Sequence, residues 1–382
     1  MSGIKNTEKQ FSLKDELFNK TKVKKISNEL KRAYTGFDQT QFEKDVLKEF
    51  PKLELMERII WIRDCLRTHL PNDYKNAVQI ILKSLPPELD PKKTDNDFGE
   101  FIYAPYGYFV AEYGCTKADL KFSLKALEEL TKRFSMEGPI RDFVNAFPKE
   151  TYAVVEKWSR AKQYHVRRLA SEGTRPFLPW AGRIKTDPKQ AVTILDTLHS
   201  DTTRYVTRSV ANHMNDLSKI EPGLVVKTLK RWQKAGEQDE KEMQFIVKHS
   251  LRTLVKEGNM DALKLLGFKA PQVTVTNLKL TPKNIKTGQS LTLTFDIETN
   301  ANKLQKLVID YVIHFRKAKG HTAPKVYKIS QIELKPGEKI TIEKKHPLKL
   351  MSTRTLYPGI QTFELQINGQ SFGKKDFKIV ES

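Results

Sequence analysis

The chain has 382 residues, a formal net charge of +21 at pH 7 and two cysteines, Cys65 and Cys115. That length allows two or three domains, the charge favours nucleic acid or an anionic membrane as partner, and two cysteines with no CxxC spacing exclude a cysteine-built zinc site while leaving room for one disulfide. No run of about 18 apolar residues occurs and MSGIKNTEKQFSLKDELF carries no apolar signal region, so a cytoplasmic protein without a membrane span is expected.

Residues 1–11 are polar and expected to fray. From Leu13 to about Phe268 apolar residues recur at helical spacing. Val23, Ile26, Leu30 and Tyr34 make one stripe, and Phe42, Val46, Leu47 and Phe50 another. Leu53 to Leu66 follow, with Pro71 after the stop, and then Ala77, Ile80, Ile81 and Leu82. Residues 86–105 hold four prolines and read as a loop. Helices resume over Tyr106–Tyr113, and Thr116 with Asp119 resembles a capping box for the next. Pro139–Phe147 and Pro148–Ser159 follow, then a helix that enters HVRRLASEGTRPFLPW. Asp187-Pro188 opens another, and Asp201 and Thr202 offer caps for Arg204–Ser218. Pro222–Trp232, Lys241–Lys256 and Met260–Leu266 complete the set, with Gly258 and Gly267 as stops. Helix pairs spaced by roughly 35 to 40 residues predict a HEAT-like α-solenoid; a compact irregular helical domain is the plainer alternative.

At Pro271 the texture changes. Seven segments, from VTVTNLKL to FGKKDFKIV, alternate apolar with polar residues and are separated by TPKNIKTGQ, KPGEK and NGQ turns. This predicts an all-β immunoglobulin-like sandwich. The expected plan is thus multidomain: 1–11 flexible, 12–270 an all-α HEAT-like solenoid, 271–382 the sandwich. Residues 272–382 have a net charge of about +10, so the β-domain either shares a polyanionic partner with the helices or is solubilised by its charge.

The stretch His165–Trp180 concentrates candidate chemistry. Val166, Leu169 and Ala170 are spaced to face a core, which turns Arg167 and Arg168 away from it. Gly173 is expected to stop the helix in left-handed geometry, and Pro176 and Pro179 stiffen the segment presenting Trp180. A carboxylate, Glu172, and an indole thus stand among guanidinium groups; an ordinary helix end with a half-buried Trp is the plain alternative. Glu137 precedes a helix starting near Pro139 and either complements its dipole or joins Glu172 at one groove; Glu172 in turn is placed to pair with Arg168. Arg204, Arg208 and Asn212 share a helix face, with Asp216 and Lys219 beyond, and Lys248-His249 with Arg252 forms another basic group. These are solvated faces or one phosphate-binding groove. There is no P-loop, dinucleotide fingerprint or HExxH, and the scattered His165, His199, His213 and His249 read as structural. No metal and no cofactor are expected.

HVRRLASEGTRPFLPW, FSMEGPIRDF, RYVTRSVANHMNDLSK and KHSLRTLVKEGNMDALKLLGF together resemble the AlkC branch of the AlkC/AlkD DNA alkylation-repair glycosylases, well over residues 105–268 and more loosely before. Some AlkC-type proteins also carry a C-terminal immunoglobulin-like domain. The resemblance implies a monofunctional, metal-free glycosylase of base excision repair. It would hydrolyse the N-glycosidic bond of cationic N3-alkylated bases, 3-methyladenine and 3-methylcytosine, in duplex DNA without base flipping. It places Glu137, Glu172 and Trp180 at the active site and puts Arg168, Arg175, Arg208 and Asn212 at matching motif positions. With Arg167, Arg183, Arg204, Lys219, Lys248 and Arg252 these make the expected DNA-binding set. The implied partner is alkylated duplex DNA, bound by a monomer with no membrane. The competing expectation is a non-catalytic HEAT-repeat scaffold on distorted DNA or a protein.

Overall fold

Several helices begin in this chain where a short polar side chain caps them. The computed structural model describes residues 12–95, 97–349 and 355–380; the fraying expected of residues 1–11 lies outside the described residues. The first helices are α1 (Leu13–Leu17), α2 (Lys20–Ala33), α3 (Gln39–Glu49), α4 (Leu55–His69) and α5 (Tyr74–Ser84). Asn19, Asp38 and Asp73 each accept a hydrogen bond from the backbone N–H three residues on, at the starts of α2, α3 and α5. The apolar stripes Val23–Ile26–Leu30, Phe42–Val46 and Ala77–Ile80–Ile81 are buried.

Next come α6 (Ala104–Gly114), α7 (Leu120–Thr131), α8 (Ile140–Ala146), α9 (Pro148–Trp158), α10 (Tyr164–Glu172) and α11 (Val192–Leu198). Neighbours in sequence pack on one another: α2 on α3, α3 on α4, α6 on α7, α8 on α9, α9 on α10, α10 on α11. Second contacts, α4 with α6 and α7 with α10, tie one pair to the next. Stacked helix pairs of this kind are the solenoid plan. α6 starts at Ala104, inside the expected 86–105 loop, with Pro105 in its first turn, where its missing N–H costs nothing.

The last helices are α12 (Arg204–Ser218), α13 (Pro222–Ala235), α14 (Glu240–Ser250), α15 (Arg252–Lys256) and α16 (Met260–Leu265). The single helix expected over Lys241–Lys256 is broken at Leu251, which leaves helical geometry with ψ near 1° and is fully buried. Gly258 and Gly267 do stop helices, with φ of 71° and 83°. Gly173 does not behave as expected: it ends α10 at φ −66°, ψ −24°, ordinary helical angles. Its lack of a side chain serves packing instead, since a Cβ there would lie 2.5 Å from Ile140 Cγ2.

The strands are β1 (Val273–Thr281), β2 (Asn284–Lys286), β3 (Ser290–Thr299), β4 (Gln305–Arg316), β5 (Thr322–Leu334), β6 (Lys339–Pro347), β7 (Gly359–Ile367) and β8 (Gln370–Val380). They form a three-stranded sheet, β1-β3-β6, and a five-stranded sheet, β2-β8-β7-β4-β5. Strand alternation sends Leu291, Leu293, Phe295 and Ile297 from one sheet and Leu307, Ile309, Tyr311 and Ile313 from the other into a shared core. β2 lies in the TPKNIKTGQ stretch expected as a turn. Its Ile285 is fully buried and pairs parallel to Ile379 of β8, but three residues are too few to show alternation in sequence.

Packing divides the chain into two compact units. One runs to Leu217 and takes in Ala235–Ile246; the other joins Ser218–Lys234 with Val247–Ser382. The packing boundary therefore differs from the change of texture at Pro271. Within the second unit, Leu263 and Phe268 pack against Val308 of β4 in a small cluster separate from the sandwich core, so residues before Pro271 dock on a strand of the β-domain.

Candidate active site

The segment that follows α10 is held by one arginine of α8. Arg141 is 1% exposed, and its guanidinium donates to the carbonyls of Gly182 at 2.5 Å, Arg175 at 2.7 Å and Pro176 at 3.2 Å. Burial, then the nearby Arg175, lowers its pKa to about 10, so the cation persists at neutral pH and binds carbonyl dipoles in place of water. The braced segment carries Trp180 at φ 62°, a left-handed conformation that a bulky residue rarely adopts. Its side chain is not half buried: the residue is 63% exposed. Backbone strain of this kind gathers at functional sites.

Arg168 of α10 does not point away into solvent. Its Nη1 donates to Glu137 Oε2 and to Ser135 Oγ, both at 2.8 Å, and its guanidinium lies over the Tyr205 ring, 4.5 Å from the centroid. Ser135 Oγ donates to the same Glu137 oxygen at 2.8 Å. On its other side Arg168 Nη2 is 3.7 Å from Glu172 Oε1. Burial works against the arginine's charge, and Glu137 and Glu172 more than offset it, raising its pKa.

Glu172 is 5% exposed. Arg175 Nη1 reaches its Oε1 at 2.5 Å, and Ser209 Oγ donates to Oε2 at 2.6 Å. Arg175 in turn bonds Asp216 Oδ2 through Nε at 2.9 Å. Burial opposes ionisation of Glu172, yet Arg168, Arg175 and the Ser209 bond outweigh it and hold its pKa below the usual carboxylate value. Nearby, burial pushes His213 down to about 3, so it is neutral, and its Nδ1 donates to the Ser171 carbonyl at 2.9 Å. The two acids are thus joined through Arg168 but sit in different surroundings. Glu137, its side chain 33% exposed, lines an open cleft of about 220 Å³; Glu172 lies behind that lining. Among the described residues no side chain bonds Glu137 Oε1. Arg168, Tyr205, Tyr108, Phe98 and Trp180 share the cleft.

The other expected DNA-binding residues are placed as follows. Arg167 is spent on its own chain: it forks onto Asp201 and donates to the carbonyls of Ala161 and Lys162. Arg175 is likewise enclosed between Glu172 and Asp216. Arg204 pairs with Glu242 and covers the Phe245 ring at 3.9 Å, and Arg208 pairs with Asp95. Asn212 is half buried on the same helix. Arg183 is exposed, 5.4 Å over the Phe177 ring. In the second unit Lys219 and Lys248 are exposed, and Arg252 Nη1 donates to the His249 carbonyl. Ser135, Tyr205, Ser209 and Arg141 complete the site without having been singled out in sequence. Ser135 and Arg141 lie within FSMEGPIRDF, but helical periodicity gives a buried arginine no signature. Among the described residues no group of three or more His, Cys, Asp or Glu side chains could hold a metal ion.

Three comparisons bear on this arrangement. Residues 274–381 match a family model described as the C-terminal Ig-like domain of the uncharacterised protein YhaZ. The chain is 32% identical to the uncharacterized protein YhaZ of Bacillus subtilis over 369 residues, 95% of this chain and 98% of that one. Among solved structures it is similar to the Pseudomonas fluorescens alkylpurine DNA glycosylase AlkC, bound to DNA containing an abasic site analog. The TM-score is 0.84 at 33% identity, over 97% of this chain and 100% of the other.

Proposed function

The chain belongs to the family of AlkC and YhaZ, and from that membership we propose that it is a DNA glycosylase of base excision repair. Its substrates are cationic N3-alkylated bases, 3-methyladenine and 3-methylcytosine, in duplex DNA. It acts as a monomer, in the cytoplasm, and leaves an abasic site without cutting the strand. The observation that carries this reading is Glu137: a partly exposed carboxylate with one oxygen unengaged by any described side chain, sharing one cleft with an exposed, strained Trp180.

Alkylation at N3 already gives the base the positive charge of a good leaving group, so no general acid is required. As the glycosidic bond lengthens, charge moves onto the sugar, and the transition state resembles an oxocarbenium ion. A fixed carboxylate next to that carbon stabilises it and can orient the attacking water. Glu137 takes this role. Ser135 and Arg168 occupy its Oε2 and leave Oε1 for substrate or water. Glu172 positions Arg168 and Arg175 from behind. Trp180 offers a ring face to the cationic nucleotide, worth about 0.5–2 kcal/mol. The cleft is open, which favours attack on a lesion that stays in a bent duplex over one flipped into an enclosed pocket. Arg183, Arg204 and Arg208, with Lys219, Lys248 and Arg252, contribute phosphate contacts, Arg208 after leaving Asp95.

Wild-type protein incubated with methylated duplex, without added metal, should release 3-methyladenine. Strand breaks should appear only after alkali. Tight duplex binding with no released base would instead support the non-catalytic scaffold.

A further inference from the structure

Phe98 lines the same cleft as Glu137, Arg168 and Trp180 and is 50% exposed, yet the chemistry above does not use it. Its position is built by the loop between α5 and α6. Arg133 Nε donates to the Pro86 carbonyl at 2.9 Å, the Leu89 N–H to the Lys132 carbonyl at 3.0 Å, and the Tyr205 N–H to the Thr94 carbonyl at 3.0 Å. Gln163 Nε2 donates to the Leu89 carbonyl at 3.1 Å. The residue after Phe98 is Gly99, bridged to Phe134 at φ 71°; a Cβ there would sit 1.9 Å from the Arg133 carbonyl oxygen. Only glycine fits, and it fixes the direction in which the chain leaves Phe98.

A loop anchored at so many points could have buried a phenylalanine. It holds the ring half in solvent, edge-on to Tyr205, with centroids 5.3 Å apart and planes at 81°. The Tyr205 ring carries Arg168, and Arg168 holds Glu137. Contacts therefore run without a gap from an exposed ring to the acid.

We propose that Phe98 is a substrate-contacting residue whose ring gives the alkylated nucleotide a second aromatic face, in addition to that of Trp180. This rests on the glycosylase reading. Both the alkylated base and the sugar cation of the transition state are positive, and the surroundings are rich in arginine. An aromatic face attracts a cation without adding a negative charge that those arginines would neutralise. The requirement is a π face and not apolar bulk, and that distinction makes the role testable.

Single-turnover base release from methylated duplex, affinity for undamaged duplex and thermal stability would be measured for Phe98→Tyr, Phe98→Leu and Phe98→Ala. Tyr keeps the face and should keep most of the rate. Leu keeps the bulk and should be about tenfold slower, with Ala at least as slow. Affinity for undamaged duplex and melting temperature should stay at wild-type values. Release by Phe98→Leu at the wild-type rate would overturn the proposal, as would losses in all three variants that track a lowered melting temperature. A wild-type protein that releases no base would sink the glycosylase reading and this proposal with it, whereas an active wild type matched by the Leu variant removes Phe98 alone.

Discussion

Trp180 combines two costs that a merely structural residue would avoid, a large apolar surface left in solvent and a left-handed backbone. For a residue with a Cβ the second costs about 1–2 kcal/mol. Trp180→Gly should therefore be more stable than Trp180→Ala by about 1 kcal/mol, while both lose most base release. Urea unfolding and a base-release assay check the two parts. Equal stabilities would mean the strain is not real, and retained release would remove the ring from catalysis. The sequence showed that prolines stiffen this segment, but it assigned the left-handed geometry to Gly173. Conformational freedom makes glycine the default guess; here the close approach of Ile140 had already claimed it. Nor could the sequence rank the two acids. Glu137 and Glu172 each sit in a quoted motif, and only the packing puts one in the cleft and the other behind Arg168.

At the level of elements, α10 and the segment after it depend on α8. Arg141 spans from one helix to carbonyls spread over residues 175–182, so its planar fork cannot be replaced by a lysine point charge. Arg141→Lys should leave the helices intact and speed amide hydrogen exchange across residues 173–183, with slower base release. Unchanged exchange there would show that the segment does not depend on Arg141, with the prolines and Asn145, which donates to the Arg183 carbonyl, holding it instead. The helices were legible because their apolar stripes repeat, and α12 spans the expected Arg204–Ser218. The polar stripe on that helix was legible as a stripe only. Arg204 and Arg208 face carboxylates from distant segments, Glu242 and Asp95, which no spacing rule reveals.

For the whole molecule, two buried histidines set a direction for acid sensitivity. Burial lowers His213 to about 3 and His165 to about 4, from an ordinary 6.5. Between about pH 6.5 and those values the unfolded chain takes up protons that the folded one refuses, so stability falls as pH falls. Glu172, its pKa lowered in the fold, adds a loss at still lower pH. The urea midpoint should be lower at pH 5 than at pH 7.5, and His213→Gln should narrow that difference; an unchanged difference would mean His213 is protonated in the fold. The texture change at Pro271 was legible, but the docking of Leu263 and Phe268 on Val308 of β4 was not, because those two look like any amphipathic helix end. The central claim is that a carboxylate at the cleft breaks the glycosidic bond of an alkylated base. Its most direct test is single-turnover release of 3-methyladenine from methylated duplex by wild type and by Glu137→Gln, with duplex affinity measured alongside. Release by wild type, and a loss of at least about a hundredfold in the variant at unchanged affinity, is the predicted result. Equal release by the two proteins would contradict it.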